Sequence, residues 1–106
     1  MRITINVTKR DITEGNEMDC PVTRALRRAL GVRKNSRLGD SLRVGSLTIY
    51  YLVEDEWDEI DLATMPKIAQ DFVRDFDRNR TVKPFSFPAN FNQVRAKSIG
   101  LTLPTV

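Results

Sequence analysis

The chain has 106 residues, 41% of them hydrophobic and 29% charged, with 17 lysines and arginines against 14 acids and a net charge of +3. This length and balance suit one folded domain spanning residues 1–106 and exclude the disordered class, while the small positive excess permits a nucleic-acid partner without requiring one. One cysteine excludes an internal disulfide, the absence of histidine removes the commonest general base, and no apolar run reaches the ~20 residues of a membrane span.

With no signal-peptide pattern at the amino terminus, the expectation is a soluble protein of a reducing cytoplasm, without membrane contact. Ile3, Ile5 and Val7 alternate with polar residues and predict a first, half-buried strand. Lys9 to Asp19 is polar, contains Gly15 and Asn16, and reads as a connection with little to bury. Val22, Ala25, Leu26, Ala29 and Leu30 form one stripe of a helix, opened by Pro21 and stopped by Gly31. Arg24, Arg27 and Arg28 lie off that stripe, so the helix is expected to present guanidiniums outward.

Val32 to Asp40 reads as a basic loop. Leu42 and Val44, a Gly45-Ser46 turn, and alternating Leu47, Ile49, Tyr51 and Val53 predict a hairpin. The next segment, Glu54 to Asp61, carries six acids around Trp57 and Ile60 and reads as an exposed loop or an edge strand. Thr64 is placed to cap a second helix with Pro66 in its first turn. Ile68, Ala69, Phe72, Val73 and Phe76 form its apolar face, and Asn79 its stop. Val82, Phe85 and Phe87 read as a short returning strand that Pro84 assigns to an edge. Residues 88–106 form an extended tail or, through alternating Ile99, Leu101 and Leu103, a final strand. The fold class is α+β: a small, mainly antiparallel sheet with two helices on one face, in the order β-α-β-β-α-β plus that optional strand.

The run Met65–Asp77, a proline-started helix ending in Phe76-Asp77, is followed by Pro84-Phe85-Ser86-Phe87. Together they resemble the carboxy-terminal part of a family of small phage and prophage proteins. Asp19-Cys20-Pro21-Val22, with the following Ala25-Leu26 and Ala29-Leu30 repeats, resembles that family's first helix. The chain departs from the family pattern in its acidic segment and in the tail after Phe87. The resemblance implies a phage origin and action within the host cell; phage proteins of this size often bind and disable a host component.

Two charged groups are the candidate sites. Seven bases against one acid lie between Thr23 and Arg43; of these Arg24, Arg27, Arg28, Arg33, Lys34 and Arg37 suit phosphates of a nucleic acid or an anionic nucleotide, or else form a solvated face partly neutralised by the acidic segment. Glu54, Asp55, Glu56, Asp58 and Glu59 around Trp57 suit docking to a basic surface of a host protein, with the tryptophan as anchor and the acids steering encounter. Those acids, with Asp61, lack the glycine of a calcium loop, so no metal is expected. Cys20 has no histidine to activate it and reads as a small buried hydrophobe. No catalytic residue and no cofactor is assigned, and glycine-rich phosphate cradles are absent. The expected function is therefore a non-enzymatic interaction protein that inhibits a host factor, plausible within an anti-defence strategy, with nucleic-acid or nucleotide binding through the basic first helix as the alternative. The oligomeric state is left open.

Overall fold

The computed structural model describes residues 1–53 and 58–104. Five strands, β1 (Arg2–Val7), β2 (Leu42–Val44), β3 (Thr48–Leu52), β4 (Glu59–Thr64) and β5 (Phe85–Phe91), form one sheet in the order β1-β5-β4-β3-β2, antiparallel throughout. Among the described residues five helices accompany it: α1 (Lys9–Glu14), α2 (Pro21–Leu30), α3 (Arg37–Ser41), α4 (Lys67–Asp77) and α5 (Gln93–Ser98). The architecture is α+β, as the sequence predicts.

The period of two in β1 and β5 divides the sheet into a buried and a wet face. Ile3, Ile5 and Val7 pair with Ala89, Phe87 and Phe85 toward the core, while Thr4 and Asn6 pair with Pro88 and Ser86 toward solvent. In β4 the register shifts opposite Ile49 and Tyr50, so that the consecutive Leu62 and Ala63 are both buried. Because β1 and β2 occupy opposite edges, the chain must cross the sheet between them. That crossing is α2, which buries Val22, Ala25, Leu26 and Leu30 against β1 and reaches β2. Gly31 ends it at φ +67, letting the N–H groups of Gly31 and Val32 close on the carbonyls of Arg28 and Arg27. On α4, Phe72 buries its ring 4.7 Å from Phe85, which lies 5.5 Å from Phe87. Ile68, expected on the same apolar face, is exposed.

Several expectations need correction. Lys9–Asp19 is not plain connection: Thr8 and Asp11 form a reciprocal capping box that starts α1, and both Asp11 and Asp19 are buried. The basic loop ends in α3, whose first turn is capped by the Ser36 hydroxyl accepting from the Gly39 N–H. The acidic segment leads into β4, which is interior to the sheet and not an edge. Pro66, not Thr64, stands at the start of α4. The returning strand is longer than expected and lies between β1 and β4, yet β4 pairs with it only at Ala63↔Phe91 and Thr64↔Asn90. Pro88 is therefore tolerated: the ladder from Met1 to Phe91 turns its nitrogen away from β1, toward a stretch where β4 has already diverged. Among the described residues the tail forms α5 and no sixth strand; Ile99 and Leu101 are buried on either side of Gly100 (φ +80).

Candidate partner-binding surfaces

The polar side of α2 is only partly open to water: Arg27 is buried and Arg24 half-buried, while Arg28 stays exposed. α1 and the loop behind it place three carboxylates against this side. Asp11, 1% exposed, accepts from Arg28 at 2.9 Å (Oδ1) and 2.6 Å (Oδ2), and from the Thr8 N–H at 2.9 Å; Arg24 Nε lies 3.6 Å away. Asp19 accepts a two-pronged pair from Arg27, at 2.7 and 3.0 Å, in which both residues are buried. Arg24 and Lys34 each approach Asp19 to 3.6 Å, and Arg24 also pairs with Glu14. The loop that delivers Asp19 is itself fixed, because the Asn16 side chain accepts from the N–H groups of Met18 and Asp19.

Burial alone would raise the pKa of Asp11, but the Arg28 guanidinium and the Thr8 donors outweigh it and bring it to about 2. The same contest holds for Asp19: burial pushes up, and the hydrogen bonds and charge of Arg27, with the charges of Lys34 and Arg24, hold the carboxyl below its ordinary value. Arg28 is correspondingly raised, chiefly by its hydrogen bonds to Asp11.

The expectation of an outward-facing arginine helix is thus corrected. Arg27 is buried in an ion pair, and Arg24 and Arg28 are committed to carboxylates from residues 11–19. Among the described residues no ion pair joins the acidic segment to the basic segment. Beyond α2, Arg33 and Lys34 are exposed, and Arg37 donates to the Tyr51 hydroxyl at 2.9 Å and to the Ile99 carbonyl at 3.0 Å. Of the acidic candidates, Asp58 and Glu59 are exposed where β4 begins, Asp61 is exposed on the same strand, and none of the three has an ion-pair partner among the described residues. Glu54, Asp55, Glu56 and Trp57 lie outside the described residues.

Cys20 directly precedes α2 and its Sγ sits 3.1 Å from the Thr23 hydroxyl. Among the described residues no group of three or more cysteines and carboxylates is arranged to hold a metal ion, and no helix is long and apolar enough to cross a membrane. Sequence reading missed Asp11 and Asp19 as the organisers of the arginines. The Thr8-x-x-Asp11 spacing of a capping box was the available signal for the first; Asp19 had none, because its partners are chosen by tertiary contact. No family model matches this chain, and neither a curated protein nor a solved structure matches it.

Proposed function

We propose that this chain is a non-enzymatic interaction protein that docks onto a basic surface of another protein through the acids at the β3–β4 end of its sheet. The observation that carries this reading is the uneven fate of the charges. The α2 arginines are spent in ion pairs inside the molecule, whereas the carboxylates of Asp58, Glu59 and Asp61 have no ion-pair partner among the described residues, Arg95 donating only to the Asp61 main-chain carbonyl at 3.0 Å. Uncompensated carboxylates at one end of a rigid sheet steer encounter with a cationic partner and exclude polyanions by repulsion. The resemblance to small phage and prophage proteins supplies the host-directed part of the proposal: the partner is a host protein, and its inhibition serves an anti-defence role.

The test is affinity capture from nuclease-treated host lysate at two salt concentrations, followed by association kinetics with the captured protein. Converting Glu54, Asp55, Glu56, Asp58 and Glu59 to the corresponding amides should slow association by roughly tenfold at low salt and leave dissociation nearly unchanged. Equal association rates for the wild type and the amide variant at low salt would refute the surface. A nucleic-acid or nucleotide reading now has to rest on exposed Arg33 and Lys34 with Arg37, not on α2. It predicts capture that nuclease abolishes and a steep loss of binding with salt.

A further inference from the structure

β2 is an edge strand: among the described residues it pairs with β3 alone. The Gly45 N–H donates to the Thr48 carbonyl at 2.9 Å. Antiparallel alternation then turns the backbone groups of Arg43 and Gly45 toward β3 and those of Val44 outward, onto the open edge. Two cavities of about 380 and 400 Å³ lie along that edge and share Val44, Val73 and Asp77, so they form one groove with β2 on one side and α4 on the other. Half-buried Val44 and Val73 give its middle an apolar lining.

Charge distinguishes one end. Glu17 and Asp40 line the groove there, Asp77 lines its middle, and none of the three has an ion-pair partner among the described residues. Of the cations that line the groove, Arg27 pairs with Asp19, exposed Lys34 lies 3.6 Å from the same carboxylate, Arg74 pairs with Asp71 and Asp75, and Arg43 donates to the carbonyls of Asp40 and Leu42; Arg78, at the other end, has no ion-pair partner among the described residues. An occupant with an aliphatic stem and a cationic head would satisfy both halves of this lining.

We propose that the groove takes an extended segment of a partner protein, which adds to the sheet at Val44 and lays a lysine or arginine side chain among Glu17, Asp40 and Asp77. Main-chain bonds to an open strand edge supply affinity and the side-chain pocket supplies selectivity. This binding mode does not use the β3–β4 end of the sheet, so it stands or falls separately from the docking surface above.

The experiment presents the labelled full chain to pools of random peptides of about ten residues, fixed at the centre as lysine, arginine, glutamate or norleucine. Lysine- and arginine-centred pools should bind roughly tenfold more than the other two. The double variant Asp40→Asn/Asp77→Asn should remove that preference at an unchanged melting temperature. Val44→Pro, which deletes the outward N–H without taking a donor from the β3 ladder, should weaken binding of every pool. Amide resonances of Val44 and Val73 should move on titration with a retained lysine peptide. Absence of binding by all pools, equal binding of glutamate- and lysine-centred pools, or a preference that survives the double amide variant would overturn the proposal. The amide variant keeps the test decisive should Val44→Pro fail to fold.

Discussion

Replacing Asp11 with asparagine asks whether α1 stabilises the protein by neutralising α2. The Asp11 carboxylate is buried and its pKa falls from 3.8 to about 2: burial opposes ionisation, but the guanidinium of Arg28 and the Thr8 donors favour it more strongly. A depressed carboxyl pKa means that the folded state holds its proton less tightly than the unfolded chain. Its stabilising contribution is therefore complete above the unfolded value and disappears as pH falls through the folded one, here between about 4 and about 2. The shift is worth about 2 kcal/mol at neutral pH. Asparagine retains an oxygen for the Thr8 N–H and nearly the same volume, so the change isolates the charge from the cap. Arg28 is 52% exposed and regains water when its partner is lost, which keeps the cost near that figure; a stranded, fully buried charge would cost about 3–5 kcal/mol. For a domain of this size the expected fall in melting temperature is roughly 8–16 °C. Urea unfolding followed by circular dichroism at a series of pH values measures it directly. The gap between wild type and Asp11→Asn should be largest near pH 7 and close as pH approaches about 2. A gap below about 0.5 kcal/mol at pH 7, or one that does not change with pH, would refute the reasoning.

Asp19→Asn should be costlier than Asp11→Asn, about 3–5 kcal/mol, because Arg27 is buried and has no water to return to. Adding Arg27→Met should recover part of that loss, so a double-mutant cycle would show strong coupling; strict additivity would mean that the pair contributes no coupling. Two glycines should separate a steric requirement from a conformational one. A Cβ on Gly39 would fall 1.8 Å from the Arg33 carbonyl oxygen, whereas one on Gly31 meets nothing within 4 Å and suffers only the positive φ of +67. Gly39→Ala should therefore cost more than about 2 kcal/mol and Gly31→Ala about 1 kcal/mol, read as shifts in denaturant midpoint. Equal costs would show that α3 does not depend on this close approach.

The elements that the sequence declares are those with enough length to repeat a pattern. β1 alternates over six residues, α2 repeats its apolar stripe across ten residues between Pro21 and Gly31, and α4 does so over eleven before Asn79 turns the chain at φ 58. Short elements have no room for periodicity and depend on end chemistry. α1 exists through the Thr8–Asp11 box, and α5 starts where the Asn92 side chain accepts from the Arg95 N–H. The alternation of Ile99 and Leu101, which resembles a strand, arises instead because Gly100 reverses the chain after α5 and sends both side chains into the core. The edge that Pro84 suggested is not there: β5 lies between β1 and β4, and its place depends on where β4 joins that strand, a contact between residues far apart in sequence.

The same locality explains why the charge pattern was only half legible. Counting along the chain finds the arginines of α2 crowded together and the acids of residues 54–61 crowded elsewhere, and suggests two opposite surfaces. Burial assigns the charges differently, since Asp19 and Asp11 come from 8 and 17 residues away from Arg27 and Arg28, which donate to them. A helix face that is polar by composition becomes partly covered, with Arg27 interior, once another acidic element lies across it. This decides which functions the basic segment can perform. For a phosphate to reach Arg27 it would have to displace a buried two-pronged carboxylate and leave Asp19 charged and poorly compensated, an exchange whose desolvation cost exceeds what one phosphate contact returns. Within the basic segment, the cations left outside such pairs lie beyond Gly31, and among the described residues Asp58, Glu59 and Asp61 at β4 and Glu17, Asp40 and Asp77 along the β2–α4 groove have no ion-pair partner.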